Sequence, residues 1–87
     1  MKKKGKKKSS LVLNQAEKKL LEKIAKKIRK DLYELDKPLE WLAWESELAR
    51  STIQRVLDAE RNVGIITLDK ISKSLGYSGI ANFLETI

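Results

Sequence analysis

The longest regular pattern of apolar and polar residues in the chain runs over residues 15–35. Apolar side chains recur there at spacings of three and four, which places them in one stripe on an α-helix; they are Ala16, Leu20, Leu21, Ile24, Ala25, Ile28, Leu32 and Leu35. Asn14 can cap the start of this helix, with Glu17 as its capping-box partner. The segment 36–38 ends the helix, and Pro38 suits the first turn of the next one.

Four shorter helices are predicted after the first, at about 38–45, 49–58, 67–75 and 79–86. Gly76 can end the fourth helix in the left-handed conformation, and Ser78 can cap the start of the fifth. Only the segment 63–67 favours a strand, and it is short and has no partner strand. The pattern therefore predicts an all-α fold, a compact bundle of about five short helices.

Length and composition exclude several classes of function. The 87 residues leave room for one small domain. The absence of cysteine and histidine excludes disulfides, thiolate or imidazole metal sites, and catalysis by a Ser-His or Cys-His pair. Without a glycine-rich phosphate loop or paired carboxylates in a cleft, an enzyme is the weakest hypothesis, and no cofactor or metal is expected. No apolar run approaches the ~20 residues of a membrane span. We expect a cytoplasmic protein, at the nucleoid.

The net charge of +7 lies almost entirely at the N-terminus. Residues 1–8 hold six lysines and no acid, whereas the other 79 residues hold 13 basic and 12 acidic side chains. We therefore expect a disordered basic arm at 1–10 and a folded domain at 11–87. Such an arm attracts DNA, RNA or an anionic membrane surface without specifying one of them, and it also suits a solubilising or targeting role.

The second and third predicted helices are joined by a very short connection, which is typical of a helix-turn-helix. Ala43 supplies a small residue where the two helices meet, and Leu48 can fill the turn. Ile53 and Val56, three residues apart, can bury one face of the second helix of the pair. The opposite face of that helix is then free for recognition.

In this order the chain resembles the phage-repressor or Cro-type helix-turn-helix family, also called XRE-like or lambda-repressor-like. The resemblance extends over about residues 24–84 and rests on Leu42-Ala43, Leu48, Ser51-Thr52-Ile53, Thr67-Leu68, Ile71 and Leu75-Gly76. It implies a lambda-repressor-like fold that binds DNA through the helix at 49–58. The chain departs from the family pattern at the turn glycine (Glu47), the serine cap (Ala49), the glycine after the recognition helix (Ala59) and the glutamine that touches phosphate (Leu39).

The exposed face of the predicted recognition helix offers hydrogen bonds suited to base edges. We assign base contacts to Arg50, Ser51, Gln54 and Arg55, since arginine pairs bidentately with guanine in the major groove. Contacts to the DNA backbone are assigned to Thr52, to Arg61 and Asn62 after the helix, and to the arm lysines Lys2, Lys3, Lys4, Lys6, Lys7 and Lys8.

These features predict a repressor-like, sequence-specific regulator of transcription that binds double-stranded DNA. We expect a homodimer on two half-sites about one helical turn apart. Ile80 and Leu84 would then cover the core, while Phe83 and Ile87 meet the second protomer.

Two alternatives stay open. Acidic residues outnumber basic ones by six to four between Asp36 and Ile66, and Trp41 and Trp44 share a helix face. These features suit a protein-interaction module, or an antitoxin that binds a partner protein. We nevertheless expect both tryptophans to pack on the first helix or on the segment 11–13. Non-specific nucleic-acid binding through the basic arm alone is the other alternative.

Overall fold

The computed structural model describes residues 14–59 and 63–87, and within these ranges the chain forms five α-helices and no strand. The helices are α1 (Gln15–Leu35), α2 (Leu39–Ser46), α3 (Arg50–Asp58), α4 (Ile65–Ser74) and α5 (Ile80–Glu85). Each boundary lies within two residues of its predicted position, so the all-α fold is confirmed. The predicted basic arm at 1–10 lies outside the described residues.

The predicted capping box fixes the start of α1. The Asn14 side chain accepts a hydrogen bond from the Glu17 N–H at 2.8 Å, and the Glu17 carboxylate accepts one from the Asn14 N–H at 3.1 Å. Two N–H groups that the helix itself cannot satisfy are thereby bonded. Residues 14–20 are all exposed, so local hydrogen bonds rather than packing hold this end of α1.

Residues in the left-handed backbone conformation lie at or just after the ends of four helices. Gly76, after α4, has a φ of 104°, as predicted from its position. The other three are not glycines: Asp36 follows α1 at 57°, Glu47 follows α2 at 60° and Ala59 follows α3 at 54°. A residue with a Cβ pays roughly 1–2 kcal/mol for this conformation, so the connections around α2 and α3 are strained.

The apolar faces of the helices meet in one core. α1 packs on α3, α2 packs on both α3 and α4, and α5 packs on α4. The core residues are Ile24, Ile28, Leu32, Leu42, Ile53, Val56, Leu57, Leu68, Ile71, Leu75 and Phe83. Because α1 and α2 both pack on α3, the position of α3 is fixed from two sides.

The C-terminal helix turns a different face inward from the one predicted. Phe83 is fully buried, and its ring meets that of Tyr77 edge-on at 5.2 Å, whereas Leu84 and Ile87 each remain 42% exposed. The prediction that Phe83 faces a second protomer while Leu84 covers the core is therefore wrong. Leu84 follows Phe83 by one residue, about 100° around the helix, and on α5 this direction leads away from the core that Phe83 enters.

The start of α5 is held by a residue of α4. Gly79 occupies the N-cap position and offers no side chain, and the Asp69 carboxylate instead accepts the Ile80 N–H at 2.9 Å. Ser78 does not cap the helix as predicted, because it lies one residue before the N-cap position; its hydroxyl donates to the side chain of Asn82 instead. The hydrogen bond from the Ile80 N–H is the main cause that lowers the pKa of the Asp69 carboxyl. The Lys73 ammonium, 3.2 Å from the carboxylate, lowers this pKa further.

A buried carboxylate ties the loop before α5 to α1. Asp31 is only 7% exposed, and the Tyr77 hydroxyl donates to it at 2.6 Å. The Lys27 ammonium lies 3.3 Å from the other carboxylate oxygen. Burial of the Lys27 ammonium lowers its pKa, but the hydrogen bonds and charges of Asp31 and Tyr77 outweigh burial and raise the pKa overall. The carboxylate therefore has partners on both oxygens, as a buried charge requires.

Candidate nucleic-acid interface

The helix-turn-helix consists of α2, the connection 47–49 and α3. Leu48 enters the turn, where its N–H donates to the Ala43 carbonyl at 3.2 Å, and both side chains pack against the core. On α3, Ile53 is fully buried and Val56 is 7% exposed. The predicted roles of these four residues are confirmed. They set the angle between the two helices and leave the other side of α3 facing solvent.

The outer face of α3 carries three of the four side chains predicted to contact bases. Ser51 and Arg55 are exposed, and Arg55 makes no ion pair with any residue in 14–59 or 63–87. Gln54 is half-buried, and its amide donates to the Asp58 carboxylate at 2.9 Å. Among the described residues, the face therefore offers one guanidinium without an ion pair and one exposed hydroxyl, while the Gln54 amide is bonded to an acid one turn away.

The fourth side chain, Arg50, is bonded across the motif to α2. Its Nε donates to the Glu40 carboxylate at 3.0 Å, and the two side chains are 60% and 62% exposed. The backbone N–H of Glu40, and then the Arg50 guanidinium, lower the pKa of the Glu40 carboxyl. From the sequence alone, Glu40 was recognisable only as a negative charge on the second predicted helix. The positions of the two residues could have indicated the contact, because the starts of α2 and α3 lie close together in a helix-turn-helix.

The start of α3 lacks the cap that the family pattern contains. Ala49 gives the first turn no side-chain acceptor, while its carbonyl accepts the Thr52 N–H at 2.9 Å. Thr52 is half-buried beside this first turn. The N–H groups at a helix start attract anions such as phosphate, so the missing cap leaves this end of α3 open to such a contact.

Eight residues predicted to contact the DNA backbone, and the segment predicted to receive the tryptophans, cannot be placed on this surface. Lys2, Lys3, Lys4, Lys6, Lys7, Lys8, Arg61 and Asn62 lie outside the described residues, as do Leu11–Leu13, which were expected to receive the tryptophans. The two tryptophans themselves are described and differ from each other.

Trp41 packs against the core, whereas Trp44 is 81% exposed. The expectation that both tryptophans are packed is therefore wrong for Trp44. Trp44 lies two residues after the buried Leu42, about 200° around α2, and so points away from the core. A shallow groove of about 600 Å³ lies beside it, lined by Glu40, Ala43, Trp44, Glu47, Leu48 and Arg50.

An arginine of α1 supports the far end of α3. The Arg29 guanidinium donates to the Leu57 carbonyl at 3.2 Å. A cation at a helix C-terminus bonds a carbonyl that the helix cannot satisfy and interacts favourably with the helix dipole. This role of Arg29 was not predictable from the sequence, since the contact joins residues 28 positions apart.

No group of three or more Asp or Glu residues among 14–59 and 63–87 is arranged to hold a metal ion. None of the five helices there combines the length and the apolar composition needed to cross a membrane.

Two solved structures are similar to the chain in both fold and sequence. Both are point variants of the restriction-modification controller protein C.Esp1396I. The first has a TM-score of 0.66 and 33% sequence identity, and the match covers 76% of this chain and 84% of that one. For the second, the TM-score is 0.65, the identity 32%, and the covered shares 75% and 87%. No protein-family model matches the chain, and no curated protein matches it.

Proposed function

Because the chain belongs to the helix-turn-helix family that includes the restriction-modification controller protein C.Esp1396I, we propose that it regulates transcription by binding specific sequences in double-stranded DNA. The observation that carries this proposal is the division of α3 into two faces. Ile53 is fully buried on one side, while Ser51 and Arg55 are exposed on the other. A helix with such a polar face fits the major groove, where each base pair presents a distinct pattern of donors and acceptors. The protein would act at the nucleoid, in the cytoplasm.

The proposed contacts divide into two kinds. Arg50, Ser51 and Arg55 read bases, and Gln54 joins them once its amide leaves Asp58. Thr52 and the open start of α3 contact phosphate, which fixes the register of the helix on the duplex. Arg61 and Asn62 after α3, together with the lysines of the arm, contribute further backbone contacts.

Binding-site selection from a random duplex pool tests the base contacts. Arg50→Ala and Arg55→Ala should each lose preference at particular base pairs, because a bidentate arginine–guanine pair supplies about 1–3 kcal/mol of discrimination. Lys30→Ala, which removes an exposed positive charge from α1, is the matched control and should return the wild-type motif. If Arg50→Ala, Ser51→Ala and Arg55→Ala all return that motif, α3 does not read DNA.

We further propose that two protomers bind one operator, with half-sites about 34–36 Å apart. Leu84 and Ile87 on the C-terminal segment are each 42% exposed, and Ile65 and Ile66 at the start of α4 are 70% and 67% exposed. Exposed apolar residues of this kind are typical of an interface between identical chains. Phe83 takes no part in it, since it lies in the core.

Equilibrium sedimentation tests the dimer. Leu84→Lys and Ile87→Lys should shift the mass towards the monomer, because they place a charge in an apolar contact. Tyr33→Lys changes a residue on α1 that is 86% exposed and should leave the association unchanged. Equal dissociation of all three variants would place the interface elsewhere.

One observation favours a second function, binding to a partner protein. Trp44 is 81% exposed and lines a groove together with Glu40, Ala43, Glu47, Leu48 and Arg50. Tryptophans are enriched at protein interfaces. A Trp44→Ala variant that keeps its affinity for DNA but loses control of transcription would support this function. Loss of DNA affinity in the same variant would assign Trp44 to the DNA interface instead.

A further inference from the structure

The bond between Glu40 and Arg50 uses only one of the guanidinium nitrogens. Nε donates to Glu40 at 3.0 Å, and neither terminal nitrogen of Arg50 is bonded to any residue in the described part of the chain. A guanidinium has five N–H groups in one plane, and four of them lie on those two terminal nitrogens. The fork that pairs with the O6 and N7 atoms of guanine is therefore available while Nε is held.

We propose that Glu40 is a positioning residue, which holds the Arg50 guanidinium so that its two terminal nitrogens face a guanine in the major groove. This inference rests on the proposed function, since it needs α3 to read DNA. A long, free arginine loses side-chain entropy when a base orders it, and this loss weakens binding. An arginine already held at Nε has lost part of that freedom before DNA arrives.

The geometry separates this role from that of a simple repulsive charge. Glu40 and Glu45 lie on the same short helix, but only Glu40 contacts a predicted base-reading side chain. Removing either acid reduces repulsion from phosphate, which raises affinity for every sequence alike. Removing Glu40 also releases Arg50. Affinity alone therefore cannot distinguish the two roles, whereas the ratio of affinities for two DNA sequences can.

Protein stability does not obscure this comparison. Both side chains of the pair are more than half exposed, and exposed ion pairs contribute little to the free energy of unfolding. The Glu40 carboxyl is ionised at neutral pH, since even the ordinary glutamate pKa of 4.5 lies well below 7 and the pKa of Glu40 is lower still, so the pair is present under ordinary binding conditions.

The test measures dissociation constants for a duplex selected by the wild-type protein and for duplexes with single base-pair changes. Arg50→Ala first identifies the base pair that Arg50 reads. At that base pair, Glu40→Ala should lower the discrimination ratio roughly 2- to 12-fold, the factor expected when a rotamer-rich side chain must be ordered on binding. Glu45→Ala, the matched control, should leave the ratio unchanged. In a protein that already carries Arg50→Ala, adding Glu40→Ala should change the ratio no further.

Circular dichroism confirms that each variant is folded. Glu40→Leu, which likewise has no side-chain acceptor for Arg50, replaces Glu40→Ala if the alanine variant is not folded. Full discrimination in a folded Glu40 variant, or loss at every base pair alike, would overturn the positioning role while leaving the proposed function intact. A wild-type motif returned by Arg50→Ala would also overturn it. A wild-type protein with no sequence preference would overturn both proposals together.

Discussion

Glu47, between α2 and α3, holds a backbone conformation that glycine adopts at lower cost. Its φ is 60°, and its side chain is exposed, so nothing is lost from the core when it is removed. Glu47→Gly should raise the free energy of unfolding by about 0.5–1 kcal/mol. Glycine relieves the strain of the left-handed conformation, and the greater entropy of the unfolded chain offsets part of that gain. Urea unfolding measures the change.

Glu45→Gly is the control for that substitution. Glu45 is also exposed but lies within α2, where glycine costs roughly 0.5–1 kcal/mol. The two variants should therefore move stability in opposite directions. A loss of stability in both would show that Glu47 has no strain to relieve.

The hydroxyl of Tyr77 satisfies a carboxylate that water can barely reach. Tyr77→Phe removes the 2.6 Å bond to Asp31, which is 7% exposed, and leaves Lys27 as the only side-chain partner of Asp31 among the described residues. We expect a loss of about 1–3 kcal/mol in the free energy of unfolding, because a buried acceptor loses a donor. Tyr33→Phe removes the same hydroxyl from a residue that is 86% exposed and should change stability by less than about 0.5 kcal/mol. Equal effects of the two substitutions would contradict the role of Asp31.

At the scale of the elements, α5 depends on a carboxylate that it does not contain. The Asp69 pKa is lowered because the charged form accepts the Ile80 N–H and lies beside Lys73. A lowered pKa in the folded protein contributes stability above the pKa of the unfolded chain, and that contribution is lost as the pH falls through the folded value. In an NMR titration the Ile80 amide shift should therefore change with a midpoint below 3.8, the ordinary value for aspartate.

Replacing the carboxylate should loosen α5 at neutral pH. In Asp69→Ala the Ile80 N–H loses its acceptor, so the α5 amides should exchange with solvent faster than in the wild type. Asp58→Ala, which removes an exposed acid from α3, should leave these exchange rates unchanged. A midpoint at or above 3.8, together with unchanged exchange in Asp69→Ala, would contradict this account of α5.

The elements were predictable from the sequence where the cause was local. The capping box joins residues three positions apart, and the stripe on α1 repeats over 21 residues, so both were visible in the pattern. α5 has only six residues, too few for its periodicity to choose between Phe83 and Leu84. Its cap comes from Asp69, 11 positions away, and no local pattern distinguishes that residue from the nearby Ser78.

At the scale of the whole molecule, the arm should add electrostatic affinity without adding specificity. Each lysine that meets a phosphate changes the slope of log K against log salt by roughly −0.9. Since six lysines will not all engage at once, deletion of residues 1–8 should reduce the magnitude of the slope by about two to four. Gel-shift titrations at several salt concentrations measure this slope, and the order of preference among sequences should be unchanged.

The deletion shortens the chain as well as removing charge. A variant with the six arm lysines replaced by glutamine keeps the length of the arm and is the control. It should match the deletion, because the effect belongs to the charges and not to the backbone. Unchanged affinity at low salt in both variants would show that the arm has a role other than binding DNA.

The candidate interface could be predicted only in part. The two faces of α3 follow from helical periodicity, so the exposure of Ser51 and Arg55 was predictable. The engagement of Arg50 and Gln54 was not, because it depends on which acids the fold brings within hydrogen-bond distance. The effect is opposite in the two cases: Glu40 holds Arg50 in place, while Asp58 occupies the amide that Gln54 would offer to a base.

The bond from Arg29 to the end of α3 has a consequence for the order of folding. Isolated helices shorter than ~12–15 residues are marginal in water; α3 has nine residues and no side-chain cap at its start, whereas α1 has 21 and a capping box. We therefore expect α1 to form early and α3 to condense on it in the rate-limiting step. Conservative substitutions at Ile28 and Ile53 should then slow folding, while one at Phe83 should mainly speed unfolding, which stopped-flow measurements distinguish. The surface proposed to read DNA would then be assembled before the C-terminal helix docks.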